Sequence, residues 1–441
     1  MNTIPQVCAA IMRIVTTVAE AAGWESGLVK RDRKLSGDKL AQILVFGWLN
    51  NAQATLEGLS QTALALGVKV SPQAIDQRFS RQAAAFLEKV LQATVQEVVW
   101  AAPATIAVFQ RFKAVLVQDS SVVVLPQELA EVWPGCGGSG TWGQASLKLQ
   151  VRLDLKEGGL EGPVLTPGRW HDQQGAGELS HLPQGALQLT DLGYFNLADF
   201  TEMTQQGVYF ISRLKTGVKV FGEDGVELAI PEMVAKLGPQ FDLPVEVGGQ
   251  HRLKVCLIGA KVPPEVAAQR RRKLKEWARK KMRQPSQRQL SLCEWTLLIT
   301  NIPTPLAAML AAMEEVLVLA RARWQIELLF KLWKQQGQID EWRSKNPWRI
   351  LCEIYAKLVA MVIQHWVLLI SCWSYPDRSL VKGSQTVRSY AIMMATALAG
   401  VVQLEVVVAH IAHCLASGCR MNRRKRHPSS YQLLLALGSN P

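Results

Sequence analysis

The chain has 441 residues, 49% of them hydrophobic and 19% charged, which excludes a disordered chain and leaves length for several buried cores. A formal charge of +13 and a pI near 9.4 point to a polyanionic partner, because each phosphate neutralised by Lys or Arg releases a condensed counterion. The eight cysteines (8, 136, 256, 293, 352, 372, 414 and 419) include no C-x-x-C pair, which argues against a disulfide framework and for reduced thiols in a cytoplasm.

Residues 1–105 have an apolar period near that of a helix and few strand signals. Their start lacks a basic stretch followed by an uninterrupted apolar run, so no secretory leader is expected. Within them, 59–79 carries helix-turn-helix punctuation: a helical run over 59–66, Gly67 for the turn, then Ser71 and Pro72 opening a second helix over 73–79. Such a pair can lay its second helix in a major groove, and an ordinary helical hairpin fits the pattern equally well.

From 106 to 215 the texture changes to short apolar runs. KAVLVQDSSVVVL, ASLKLQVRLDL and LEGPVLT predict three successive strands, the last two joined by the KEGG turn at 156–159. A helical piece over 172–182, the strand ALQLTDLGYF, the helix ADFTEMTQQG and the strand VYFISRL follow. Three strands in a row and then alternation of strand and helix indicate a mixed sheet of the α/β class. Residues 216–290 look inserted: hairpin-like segments precede a basic run over 269–288. The strand WTLLITNIP (295–303) and two helical stretches resume the core to about 345. The remainder, 346–441, is helical and ends in NRRKRH (422–427). Its segment 354–373 has membrane-span length but contains Lys357, Gln364 and His365, so a buried helix is expected. His410, His413, Cys414 and Cys419 match no tetrahedral zinc spacing.

Three acids stand out. Asp119 sits inside VLVQDSSVVVL, where an ionised carboxylate is costly unless it is paired or binds a cation. It can equally cap a turn with Ser120 and Ser121. Asp191 closes the apolar run ALQLT, so adjacent strands could bring the two acids together at their carboxyl ends. A divalent metal relieves the repulsion between such a pair. The third, Glu327, lies in ARARWQIELLFKLWKQQG (320–337), predicted to be one helix. At about 100° per residue, Arg323, Glu327 and Lys334 fall within about 40° of one another, with Ile326, Leu329, Phe330 and Trp333 opposite. An intrahelical pair between Arg323 and Glu327 accounts for the same stripe.

DSS at 119–121, DLGYF at 191–195 and RWQIELLFKLWK at 323–334 resemble the signatures of the insertion-sequence-four family of DDE transposases. The third is the most specific, a Tyr-x2-Arg-x3-Glu-x6-Lys pattern in which Arg323, Glu327 and Lys334 match and Ala320 replaces the tyrosine. The resemblance implies an α/β chain with a ribonuclease-H-like mixed-sheet catalytic core (106–215 and 291–345) and a β-rich insertion (216–290), flanked by a helical DNA-binding region (1–105) and a helical C-terminal region (346–441). It implies that Asp119, Asp191 and Glu327 hold two Mg²⁺ ions, or Mn²⁺, and that Arg323 and Lys334 hold phosphates. Trp295 resembles a tryptophan placed near a flipped base, and Arg213 and Lys215 stand where the DNA backbone could pass. The implied partners are double-stranded DNA, as terminal inverted repeats and target, and a second copy of the chain in a homodimer. The implied setting is a prokaryotic cytoplasm, at the nucleoid. A structure-specific nuclease of the same fold and a non-cutting DNA-binding regulator remain as alternatives.

Overall fold

The computed structural model describes residues 3–31, 34–137, 144–176, 179, 181–303, 313–375, 377–422 and 428–437. Two units divide the chain: Met1–Thr105 with Asp119–Ser180 and Gln325–Pro428, and Ile106–Gln118 with His181–Trp324 and Ser429–Pro441. Strand β1 (Val115–Leu125) crosses the boundary, its part up to Gln118 lying in the second unit and the rest in the first.

The first unit is built on the helix Pro347–Ser371, which contains most of the segment that has membrane-span length. It is apolar on every side because neighbours cover every side: Gly37–Asn50, Arg81–Gln96, Leu380–Ser389 and Leu404–Ser417. The N-terminal run Ile4–Glu25 also has the length and hydropathy of a span, and half of it is buried. Asn346 starts the central helix by accepting from the backbone N–H groups of Trp348 and Arg349, with Pro347 at the first position. Inside it, the buried Lys357 ammonium donates to Glu353 Oε1 at 2.7 Å, to the Gln338 carbonyl at 3.0 Å and to the Glu341 carbonyl at 2.9 Å. All three ammonium protons are therefore used. Burial pushes the Glu353 carboxyl up and the Lys357 ammonium down, and each is the charge that opposes the other's shift.

The helix-turn-helix punctuation is present, in a shortened form. Leu56–Ala65 is helical, Gly67 takes φ +75° and Ser71 accepts from Ala74 N. The second helix is only Pro72–Asp76, because Ser80 caps a new one, Arg81–Gln96, four residues later. A helix of little more than one turn is too short to lie along several base pairs.

Strands β2 (Ala145–Asp154) and β3 (Leu160–Pro167) pair antiparallel through the predicted turn at Gly158 and Gly159. The turn needs glycine for room as well as for φ. A Cβ on Gly158 (φ +74°) would stand 2.4 Å from Leu369 Cδ2, and one on Gly159 would stand 2.2 Å from Trp100 Cζ3. That close approach lets the Gly158 carbonyl accept from His365 Nε2 at 2.8 Å. The predicted helix over 172–182 is the shorter Asp172–Ala176; 177, 178 and 180 lie outside the described residues.

In the second unit β4 (Leu187–Thr190) and β5 (Tyr209–Arg213) run parallel to β1, linked by the helix Leu197–Gln205. β6 (Val220–Phe221), β7 (Gln240–Gly248), β8 (Arg252–Lys261) and β9 (Trp295–Thr300) add antiparallel strands. The order is β3-β2-β1 in the first unit and β1-β4-β5-β9-β8-β7-β6 in the second, a mixed α/β sheet of the ribonuclease-H-like class. The β-rich 216–290 segment is not a separate sheet, because β8 pairs with β9 from Cys256↔Thr300 to Lys261↔Trp295. Its first predicted hairpin is reduced to the short β6, since Pro231 and Glu232 favour the first turn of the helix Ile230–Lys236. One apolar cluster joins core and added strands: Phe200 stacks on Phe210 at 4.4 Å and Phe241 meets Trp295 at 5.7 Å.

Burial lowers the His365 imidazole from its ordinary 6.5 to about 4. In the unfolded chain it protonates first, so the stability present above pH 6.5 is lost as pH falls toward 4. The unfolding free energy of wild type, measured against His365→Gln, should fall by about 2.5 kcal/mol between pH 6.5 and 4. A wild-type-minus-variant difference that stays flat across that window would show that the imidazole titrates normally.

Candidate active site

β1 and β4 pair in parallel register within the second unit. Val115, Leu116 and Val117 lie opposite Leu187, Gln188 and Leu189, an offset of 72 residues (187 − 115). Asp119 and Asp191 share that offset (191 − 119), each two residues beyond the last of these pairs. β1 is fully buried up to Gln118 and half-buried from Asp119, and Val122 and Val124 are exposed. The expectation of a strand buried on both faces therefore holds only for its first half, and Asp119 marks the change.

Around Asp119, the carboxylate accepts from Ser120 N at 2.8 Å. Ser120 Oγ donates to Asp172 Oδ1 at 2.7 Å, and the same oxygen accepts from Lys148 Nζ at 2.9 Å. Lys148 also donates to the Trp170 carbonyl at 2.5 Å. Neither Lys148 nor Asp172 stands out in the sequence analysis. A signal exists, because Ser146, Lys148, Gln150 and Arg152 alternate along β2 with Leu147, Leu149, Val151 and Leu153, and the polar set is as buried as the apolar one. Arg152 is paired with Glu161 at 3.0 Å, and burial still lowers its guanidinium.

Asp191 precedes the short turn Leu192–Tyr194. Its Oδ1 lies 3.6 Å from Arg323 Nε, with both side chains partly exposed. The predicted helix over 320–337 is two helices, Met313–Ala322 and Trp324–Gln335, with a turn at Arg323 between them. The break turns the guanidinium to Asp191, a partner that a continuous helix would not provide. Glu327 lies in the first turn of the second helix, half-buried, where an acid suits the helix dipole. Ile326, Leu329, Phe330 and Trp333 are buried, as the helical period required. Lys334 donates to the Val122 carbonyl of β1 at 3.0 Å and lies 3.7 Å from Asp340. It ties the helix of Glu327 to the strand of Asp119 inside the first unit.

The remaining predicted contacts are scattered. Trp295 is 9% exposed and packs in the apolar core. Arg213 is exposed at the end of β5, and its charge helps lower the guanidinium of Arg270 after burial, the larger cause. Lys215 lies 6.0 Å over the Phe195 ring. The basic run forms the helix Pro264–Lys280, and 423–427 lie outside the described residues. Among the described residues no three His, Cys, Asp or Glu side chains already stand as a metal cluster.

Asp172→Asn removes the charge facing the buried Lys148 while keeping a hydrogen-bonding side chain. Breaking a buried pair costs about 3–5 kcal/mol, and the partly exposed Asp172 reduces this to about 1–2 kcal/mol. Thermal unfolding should show that loss, and Lys148→Met in the same chain should restore most of it. Equal losses in the single and double variants would show that the pair carries no coupling.

Residues 110–363 match the family model described as Transposase DDE domain. The chain is 29% identical over 372 residues to the transposase for insertion sequence element IS231C of Bacillus thuringiensis subsp. berliner, covering 79% of this chain and 77% of that one. It is 30% identical over 361 residues to the transposase for IS231D of Bacillus thuringiensis subsp. finitimus, covering 77% and 74%. Against the transposase for IS1151 of Clostridium perfringens it is 24% identical over 324 residues, covering 68% and 66%.

Proposed function

The chain belongs to the DDE transposases, enzymes of insertion sequences that act on DNA, and on that premise we propose that Asp119, Asp191 and Glu327 are its catalytic acids. The strongest support is the shared offset of 72 residues that relates Asp119 to Asp191 along a parallel strand pair. The spacing of Arg323, Glu327 and Lys334 adds a second, independent support.

The donor set suits a hard divalent cation: three carboxylates, Asp191 already facing the positive charge of Arg323. Asp119, Asp191 and Glu327 would hold two Mg²⁺ or Mn²⁺ ions, which when bound supply activation of an attacking hydroxyl and stabilisation of the leaving oxygen. Arg323 faces Asp191 at 3.6 Å in the protein alone and is the residue that can turn to a phosphate once the carboxylates are otherwise neutralised. Lys334 positions Glu327 through the Val122 carbonyl and retains donor capacity for the DNA backbone. Arg213 and Lys215 supply further backbone contacts, and Trp295 supports the fold there.

The reaction is cut-and-paste phosphoryl transfer. One strand is cleaved at the element's end, and the freed 3′-hydroxyl attacks the opposite strand to form a hairpin. The hairpin is reopened and the end is joined to target DNA. Terminal inverted repeats are the substrates, and two ends handled together call for a homodimer, with the helical 346–441 region as its interface. The enzyme would work in the cytoplasm, at the nucleoid.

Wild type with Mg²⁺ or Mn²⁺ should nick a duplex bearing the element's own end and form hairpins. Glu327→Ala should bind that duplex equally and cut it at least about a thousandfold more slowly. Binding by both proteins with cutting by neither would sink the catalytic reading and leave a DNA-binding regulator.

A further inference from the structure

Residues 264–283 hold nine Lys or Arg and two Glu, a composition that by itself describes any solvated helix. The structure sorts these cations into two groups. Arg270 donates to the Trp295 carbonyl at 2.8 Å and to Thr296 Oγ1 at 3.0 Å, and Arg271 donates to the Leu290 carbonyl and pairs with Glu294. These two dock the helix Pro264–Lys280 onto the rim of β9, with Ala267 and Ala278 buried beneath it. Arg272 pairs with Glu276. Lys273, Lys275, Arg279, Lys280, Lys281 and Arg283 are exposed, and among the described residues their side chains have no hydrogen bond or ion pair.

Two large apolar side chains interrupt this charge. Trp277 is 55% exposed and Met282 is 96% exposed. Offsets of four and three residues put Lys273 and Lys280 within about 60° of Trp277 around the helix. An indole left in water between two ammonium groups is not explained by packing. An aromatic face flanked by fixed cations is the combination that holds a nucleic-acid backbone, the cations on phosphate and the ring on sugar or base edge.

We propose that this face, centred on Trp277 with Lys273 and Lys280, binds the backbone of duplex DNA outside the catalytic acids. The proposal rests on the reading of the chain as a DNA-handling enzyme. An anionic lipid surface fits less well. A helix lying in a bilayer needs a continuous apolar face, and here Ala267 and Ala278 are turned inward and Trp277 and Met282 are the large apolar side chains left exposed.

The test measures affinity of the full chain for a 30-base-pair duplex of arbitrary sequence, across a salt series, in wild type, Lys273→Glu/Lys280→Glu and Trp277→Ala, with Arg272→Ala as a control on another face. The charge reversal should weaken binding at least tenfold and lower the slope of log K against log salt by about two, near 0.9 for each lost phosphate contact. Trp277→Ala should weaken binding about three- to tenfold with the slope unchanged, and the control should change neither. Because the altered side chains are exposed, circular dichroism melts should coincide with wild type. A wild-type affinity and slope in the charge-reversed variant would overturn the proposal, as would loss of binding to vesicles containing phosphatidylserine with DNA binding intact. Failure of wild type to cut would count against the catalytic reading alone, since the binding series stands without it.

Discussion

A parallel strand pair transmits register along its whole length, because slipping by one residue would turn every side chain of one strand to the other face. β1 and β4 are pinned in this way by Val115, Val117, Leu187 and Leu189, all nearly or fully buried. Burial of these four aliphatic side chains, at about 1.5–3 kcal/mol each, holds that register against a slip. The helix that carries Glu327 has a different clamp: buried Ile326, Leu329, Phe330 and Trp333 fix its rotation and Lys334 fixes its height against β1.

Two buried lysines of the first unit are satisfied in sets. Lys357 uses its three protons on one carboxylate and two carbonyls, and Lys148 divides its own between Asp172 and the Trp170 carbonyl. A lone ammonium in either place would be costly, and so would the lone carboxylate left by its removal. The Lys148 set reaches Ser120, the residue next to Asp119, so a charge balance deep in the sheet fixes the backbone that carries a candidate ligand. Such a set holds geometry better than an apolar filling of equal volume, since hydrogen bonds constrain direction as well as distance.

The strands were legible in the sequence because apolar runs bounded by turn residues leave few alternatives. The acids at 119 and 191 were legible because a charge within such a run needs an explanation. The order β9-β8-β7 was not, since nothing local in WTLLIT or LKVCLIGA tells one sheet from two; pairing partners are chosen by long-range packing, here of Phe241 and Trp295. The break at Arg323 was hidden as well. ARARWQIELL has good helix formers throughout, so local propensity favours continuity, and the pull of Asp191 on the guanidinium is a tertiary effect. Trp295 shows the opposite limit. Its resemblance to a tryptophan near a flipped base says nothing of packing, and the fold sets it against Phe241 in the apolar core.

The same distinction governs the cations. RRRKLKEWARKK is one basic run to the eye, and helical periodicity alone would spread its charges around the axis. Anchoring decides which of them remain available. Once Arg270 and Arg271 are spent on β9 and Glu294, the rotation of the helix is set, and with it the side of the helix from which Lys273, Trp277 and Lys280 project. Cations on an anchored helix need no ordering of backbone on meeting a phosphate, whereas cations on a loose tail do. The added strands β6, β7 and β8, joined edge to edge with β9, give such a helix a stiffer mount than a loop would. That is a physical reason for anchoring a basic surface on a strand of an enlarged sheet instead of on a flexible arm.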